Sequence, residues 1–214
     1  MELDGLKQKL LTMASYAETA VNRAVEALVT RNHDMAIRVN NDDTIIDRCE
    51  IEVDDLAIHL LAKAPLANDL RLVTVAMKIS QNLERVGDEA AKIAKRARDL
   101  ATEPPLKLTL ELPQMAALAL DMLKASLDAF VNHDSSAARA VIPRDKEVDA
   151  LNKMINNDLT RHMMENRDSI QRCLHWLTAA RSLERIADHA KNVAEEVVYL
   201  NDAQDIRHPR AKAV

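Results

Sequence analysis

Apolar residues recur along most of this chain at alternating steps of three and four, the spacing of one face of an amphipathic helix. Together with the turn signals between them, these segments predict six helices in two sets of three. Their approximate ranges are 3–31, 34–64, 67–101, 114–132, 134–165 and 168–201. Only two glycines and four aromatic residues accompany the 48% of apolar residues, which favours long helices over strands. The pattern predicts an all-α fold.

The third and sixth predicted helices carry the same motif 100 residues apart, LERVGD at 83–88 and LERIAD at 183–188. An apolar seam continues from the motif in the same register in both helices. Its positions are Ala76, Ile79, Leu83, Val86, Ala90, Ile93, Ala97 and Leu100 in the third helix, and Trp176, Ala179, Leu183, Ile186, Ala190, Val193, Val197 and Leu200 in the sixth. Repetition of whole helices indicates two tandem, internally duplicated antiparallel three-helix bundles.

Proline and capping residues divide the chain into segments. We expect a first bundle at 1–102, an extended linker at 103–112, a second bundle at 113–202 and a C-terminal tail at 203–214. Pro143 lies inside the fifth helix and should kink it or delay its start.

Four polar residues stand where helices are expected to begin. Asp34 and Asp134 are predicted N-caps of the second and fifth helices. Asn68 and Asp168 hold the matching position before the third helix of each half.

Charge and hydropathy exclude two classes of protein. The net charge of −5 and the scattered Lys and Arg residues argue against a nucleic-acid binder, which needs a basic face. The N-terminus is acidic, and no apolar stretch approaches the roughly 18 residues needed to span a bilayer. We therefore expect a cytoplasmic protein that does not insert into the membrane.

Carboxylates spaced four apart are the strongest candidate for chemistry, because both side chains of such a pair lie on one helix face. Four pairs occupy matching places in the two halves: Asp43 with Asp47, Glu84 with Asp88, Asp145 with Asp149, and Glu184 with Asp188. If the second and third helices fold back near Pro65, Asp47 becomes level with Glu84 and Asp43 with Asp88. A turn centred between 166 and 167 makes the second set level in the same way. Four carboxylates are thus predicted to converge in each half.

Such sites suit hard or borderline cations such as Mg²⁺, Mn²⁺, Ca²⁺ or iron, with Zn²⁺ also open. The acids lie off the apolar seams, so the predicted sites are surface grooves with unburied carboxylates. The competing interpretation is a solvated helix face, on which Arg85 and Lys92 pair with Asp88, and Arg185 pairs with Asp188.

The stretch DLRLV at 69–73, followed by LERVGD and its partner LERIAD, resembles the PhoU family of phosphate-uptake regulators. The resemblance covers nearly the whole chain and implies two three-helix bundles whose E/D-x-x-x-D motifs bind metal. The implied ligands are Glu84, Asp88, Glu184 and Asp188, with Asp43, Asp47, Asp145 and Asp149 from the preceding helices. Ala187 stands where the family usually has a glycine that permits close helix approach.

The resemblance also implies a role. A member of this family is expected to be a cytoplasmic homodimer rather than an enzyme. It would connect the ATPase subunit of a phosphate ABC transporter to a sensor histidine kinase, and repress the phosphate-starvation response when phosphate is plentiful.

Three alternatives make different demands on the residues. A ferritin-like carboxylate oxidase needs Glu-x-x-His on two helices, and no histidine here has a glutamate three residues before it. A phosphotransfer bundle would use an exposed histidine such as His189, for which the first half has Glu89. A metal-free scaffold would use its acidic faces only for solubility or docking.

Overall fold

The structure, a computed structural model, describes residues 2–63 and 66–207, without the side chains of Glu2 and Asn68. This part of the chain is helical and contains no strand. Its α-helices are α1 (Glu2–Thr30), α2 (His33–Leu61), α3 (Ala67–Ala101), α4 (Leu112–Asn132), α5 (Ser135–Val141), α6 (Asp145–Glu165) and α7 (Ile170–Asp202). The predicted bounds agree with these to within three residues, except that the fifth predicted helix is divided into α5 and α6.

The helices form two antiparallel three-helix bundles, as the repeated motif predicts. In the first bundle, α1 and α2 pack on each other and on α3, and in the second, α4, α5 and α6 pack on α7. The bundles are joined chiefly by α3 packing against α7. Lys78 contacts Glu196 near one end of this pair and Arg96 contacts His175 near the other, so the two helices run antiparallel. Both acidic motifs therefore lie near the middle of the contact between the bundles.

The predicted apolar seams form the core of each bundle. Every seam residue of α3 is buried, and on α7 only Trp176 remains partly exposed. Leu83 and Leu183, the first residues of the two motifs, are both completely buried. Truncation of such a side chain to alanine typically costs about 2–5 kcal/mol, so the motifs are anchored on a rigid part of the fold.

The first junction of each repeat corrects one predicted cap and confirms the other. Asn32, rather than Asp34, caps α2, because its Oδ1 accepts a hydrogen bond of 3.0 Å from the Met35 amide. Asp134 caps α5 as predicted, accepting from the Ala137 amide at 2.9 Å. The residues just before these caps, Arg31 and His133, both have positive φ. The two junctions are therefore equivalent at an offset of 102 residues, whereas the motifs of α3 and α7 are 100 apart.

The predicted break at Pro143 is present, whereas the predicted caps of the third helix of each half are not. The prediction that Asp168 caps α7 is wrong, because Asp168 lies within a 3₁₀ turn, Arg167–Ser169. Ser169 occupies the N-cap position of α7, and its side chain makes no capping hydrogen bond. Pro143 breaks the fifth predicted helix as expected, with a 3₁₀ turn at Ile142–Arg144 between α5 and α6. Asn68 is the second residue of α3, which has Leu66 at its N-cap position, so the predicted cap position at Asn68 is also wrong. The turn residue Pro65 lies outside the described residues.

The connector between the bundles is non-helical from 103 to 111. Its leucines at 106, 108 and 110 pack partly against the core, and the Arg172 guanidinium donates to the Pro104 carbonyl at 3.0 Å. The connector is thus held against the second bundle. In the ranges 2–63 and 66–207 no helix combines the length and apolar character needed to cross a membrane.

Candidate metal centres

The first repeat brings its four predicted carboxylates together between α2 and α3. We call this set, Asp43, Asp47, Glu84 and Asp88, cluster one. Burial is the main cause that raises the pKa of Asp43 to about 6, followed by the nearby carboxylates of Asp47 and Asp88, with Lys92 acting in the opposite direction. Asp43 and Asp88 therefore interact across the two helices, which confirms the prediction that these two residues lie level with each other.

Glu84 occupies the inner side of cluster one. Burial, and after it the Asp88 carboxylate, raises the pKa of Glu84, while Arg85 opposes the shift. Oε2 of Glu84 is buried and accepts no hydrogen bond, although Nε of Arg85 lies 3.3 Å away. Nη1 of Arg85 donates to Asp88 at 3.0 Å, so this predicted intrahelical ion pair is present. An unsatisfied carboxylate oxygen among other carboxylates is a site that a cation would stabilise.

Sequence reasoning missed Glu50, which extends cluster one along α2. Burial raises its pKa, as do the carboxylates of Asp54, Asp47 and Asp88 in that order of size after burial, with Arg85 opposing them. The available signal was its spacing, three residues after Asp47 and four before Asp54. It was overlooked because the second repeat has asparagine at both equivalent positions, 152 and 156.

The second repeat forms a corresponding set between α6 and α7, Asp145, Asp149, Glu184 and Asp188, which we call cluster two. Burial and then the Asp145 carboxylate raise the pKa of Asp188; Glu184 and Asp149 add to the shift, and Lys191 opposes it. These four residues are therefore also neighbours, and the interaction of Asp145 with Asp188 agrees with the predicted level pairing.

Asp145 corrects the expectation that all these carboxylates are unburied, because only 8% of it is exposed. It is the first residue of α6, directly after the 3₁₀ turn formed at Pro143. Its Oδ2 accepts a hydrogen bond of 2.7 Å from Nζ of Lys191, whereas its Oδ1 has no partner. The lysine offsets the free energy that burial of a lone carboxylate would cost.

The glycine of the first motif lies at a close approach of two helices. A Cβ atom on Gly87 would come within 2.8 Å of Cδ1 of Ile46 and 3.2 Å of Oδ1 of Asp43. In the second repeat the equivalent pair is Ala187 and Val148, both completely buried. Valine lacks the δ carbon that Gly87 accommodates, so the exchange at Ala187 is matched by a smaller partner on the facing helix.

Polar residues between the two clusters join α3 to α7. Arg185 pairs with Glu89 across the bundles at 3.2 Å, and Lys92 donates to the same carboxylate at 2.9 Å, so neither makes its predicted pair with the motif aspartate. His189, at the position equivalent to Glu89, is partly buried rather than exposed, and its Nδ1 lies 3.0 Å from Oδ1 of Asn82. Burial lowers its pKa. His189 is therefore less exposed than the phosphotransfer alternative assumes.

Both clusters suit a hard cation in chemistry, since they combine mutually repelling carboxylates with unsatisfied buried oxygens. Across residues 2–63 and 66–207, however, no three or more His, Cys, Asp or Glu side chains are arranged as a set of metal ligands. The two clusters are therefore candidate centres by the chemistry of their side chains and not by their ligand geometry.

Fold and site together define a class of protein: a duplicated three-helix bundle with a carboxylate cluster between the second and third helices of each copy. The family model for the PhoU domain matches residues 10–97 and 112–197, which correspond to the two bundles. The chain therefore belongs to the PhoU family.

Similar proteins cover the chain almost from end to end. A phosphate-specific transport system accessory protein PhoU homolog from Pseudomonas aeruginosa is 38% identical, over 97% of this chain and 86% of its own length. The homolog from Aquifex aeolicus is 37% identical, over 99% and 96%. The crystal structure of PhoU from P. aeruginosa matches with a TM-score of 0.91 at 38% identity, covering 95% of this chain and 98% of that one. That of the phosphate transport system regulatory protein PhoU from Streptococcus pneumoniae matches with a TM-score of 0.89 at 31% identity, covering 96% and 97%.

Proposed function

We propose that this chain regulates phosphate uptake and the phosphate-starvation response. In this proposal it is a metal-binding cytoplasmic adaptor, not an enzyme, and its partners are the ATPase subunit of a phosphate ABC transporter and a sensor histidine kinase. The observation that carries the proposal is the likeness, along nearly the full length of both chains, to accessory proteins of phosphate-specific transport systems. Homodimer formation belongs to the same proposal.

The two carboxylate clusters supply the metal-binding part of the proposal. Carboxylate oxygens are the ligands that Mg²⁺, Ca²⁺ and Mn²⁺ prefer, and iron or Zn²⁺ also accept them. Residues of α2 and α3 would hold a cation in cluster one, and residues of α6 and α7 in cluster two. Burial, and after it repulsion between carboxylates, raises the pKa values of Asp43, Glu84 and Asp188, and a bound cation would offset both. It would also link two helices of a repeat through their acidic faces.

A genetic experiment tests the regulatory part. Deletion of the gene should derepress a phosphate-responsive reporter in high phosphate and alter phosphate uptake, and the wild-type gene should restore both. Unchanged reporter activity and uptake in the deletion strain, in both high and low phosphate, would refute the proposed regulation.

Elemental analysis tests the metal part separately. Protein purified without chelator should retain metal, and a variant with Glu84→Ala, Asp88→Ala, Glu184→Ala and Asp188→Ala should retain much less. A matched control replaces four exposed acids outside the clusters: Asp55, Asp121, Asp128 and Glu147. Equal and negligible metal in all three proteins would refute metal binding without touching the regulatory proposal.

A further inference from the structure

Cluster two already contains a cation, the ammonium group of Lys191. Its Nζ lies 2.7 Å from Oδ2 of Asp145, a residue of which only 8% is exposed. The lysine side chain is itself 31% exposed, because it reaches the cluster from the wall of an open groove between α3 and α7. The ammonium therefore contacts the most buried carboxylate of the cluster while its stem borders solvent.

Cluster one has no equivalent of this lysine. The position 100 residues earlier is Ala91, which carries no charge. The neighbouring Lys92 donates to Glu89 instead, at 2.9 Å. Arg85 does pair with Asp88 at 3.0 Å and with Glu84 at 3.3 Å, but its side chain is 54% exposed, and ion pairs with so exposed a partner contribute little. Cluster one also has the additional carboxylate of Glu50 where cluster two has Asn152.

We infer that Lys191 is a built-in cation of cluster two, so that cluster one takes up a metal ion readily and cluster two only when the lysine is displaced. The inference rests on the proposed metal binding and adds the order in which the two clusters bind a metal ion. Glu195, one helical turn beyond Lys191, lies on the same face of α7. The cost of displacement is the loss of a charge-assisted hydrogen bond to a buried carboxylate. Such bonds contribute enough to weaken binding at cluster two by about 10- to 100-fold.

Metal binding to one cluster at a time gives the cleanest test. A chain with Asp43→Asn, Asp47→Asn, Glu84→Gln and Asp88→Asn reports Mn²⁺ binding at cluster two alone, measured by calorimetry or by the electron paramagnetic resonance signal of free Mn²⁺. Adding Lys191→Met to this chain should tighten binding about 10- to 100-fold. Lys95→Met, which removes an exposed lysine of α3, should leave it unchanged.

The reciprocal variant places a lysine in cluster one. In a chain with Asp145→Asn, Asp149→Asn, Glu184→Gln and Asp188→Asn, the added substitution Ala91→Lys should weaken Mn²⁺ binding by a similar factor. Thermal melts with and without Mn²⁺ give a second readout: Mn²⁺ should raise the melting temperature more after Lys191→Met than before it. This readout also verifies that each variant is folded.

The outcomes separate the inference from the proposal on which it rests. Tighter binding after Lys191→Met together with weaker binding after Ala91→Lys would support it. Equal affinity of the two clusters, unaffected by either lysine change, would overturn the inference and leave metal binding intact. Absence of Mn²⁺ binding in every chain, including wild type, would overturn both.

Discussion

The two repeats have the same core but different carboxylate clusters. Leu83 and Leu183 are equally buried at equivalent positions, so packing has kept the two bundles alike. Their acidic faces differ, because cluster one has the further acid Glu50, whereas cluster two has Asn152 and the lysine of the Lys191–Asp145 pair. The comparison indicates that repulsion between carboxylates remains in both clusters, and that in cluster two the most buried carboxylate, Asp145, already has a lysine partner.

Substitution of Asp145 should have the largest effect on the metal-free protein. Asp145→Asn replaces the carboxylate that pairs with Lys191 by a neutral amide, so that a partly buried ammonium loses the charge of its ion-pair partner, which we expect to destabilise the fold by about 1–3 kcal/mol. Urea unfolding in the presence of a chelator measures this change. The double variant with Lys191→Met should recover part of the loss, since both charges are then gone. A neutral or stabilising Asp145→Asn would contradict the view that the ion pair with Lys191 stabilises the buried Asp145.

The close approach at Gly87 should give the next largest effect. Gly87→Ala places a methyl group against Cδ1 of Ile46, and the strain of such overpacking, about 1–3 kcal/mol, exceeds the gain in helix propensity. Ile46→Val removes the obstructing carbon and reproduces the pair found in the second repeat. We expect a favourable coupling of about 1–2 kcal/mol in a double-mutant cycle followed by urea unfolding. Additive single effects would show that the two helices adjust without strain.

Neutralising Asp43 should have the smallest effect and the opposite sign to Asp145→Asn. The pKa of Asp43 is about 6 in the folded chain, above its ordinary value of 3.8, so its contribution to stability falls as pH rises through about 6. At pH 8 without metal, Asp43→Asn should therefore stabilise the protein by about 1 kcal/mol, or about 2–4 °C in Tm. At pH 4 the gain should vanish, because the wild-type carboxyl is then protonated.

Circular-dichroism melts at the two pH values, in chelator, measure this difference. Asp55→Asn, at an exposed position of the same helix, is the control and should change Tm little at either pH. An equal shift for Asp43→Asn at both pH values would indicate that the ionised carboxylate carries no penalty in cluster one.

Much of the fold was predictable because it depends on periodic burial. The seam positions of α3 and α7 follow directly from steps of three and four, and counting outward from each turn correctly paired Asp43 with Asp88 and Asp145 with Asp188. The offset between the first junctions of the two repeats was predicted incorrectly. The repeated Asn-His-Asp triplets at 32–34 and 132–134 suggested an offset of 100, whereas the observed caps, Asn32 and Asp134, are 102 apart. Asp43 and Asp145 are also 102 residues apart, so their offset equals that of the caps and not that of the triplets.

Features that depend on packing between the bundles could not be predicted. The burial of His189 and the pairing of Arg185 with Glu89 require the antiparallel contact of α3 with α7, which no repeat considered alone reveals. The burial of Asp145 depends on how α6 leaves the turn at Pro143. Sequence spacing identifies the face of a helix, but tertiary packing decides how much of that face solvent still reaches.

The antiparallel contact between α3 and α7 makes one chain resemble a pair of subunits related by a pseudo-two-fold axis near Val86 and Ile186. A true homodimer using this contact would repeat every residue on both sides of the axis. Gene duplication within a single chain removes that constraint, so Glu89 can face Arg185 on one side while His189 faces Asn82 on the other. Each half can therefore change its residues independently of the other, as the two subunits of a heterodimer can, although both halves belong to one chain.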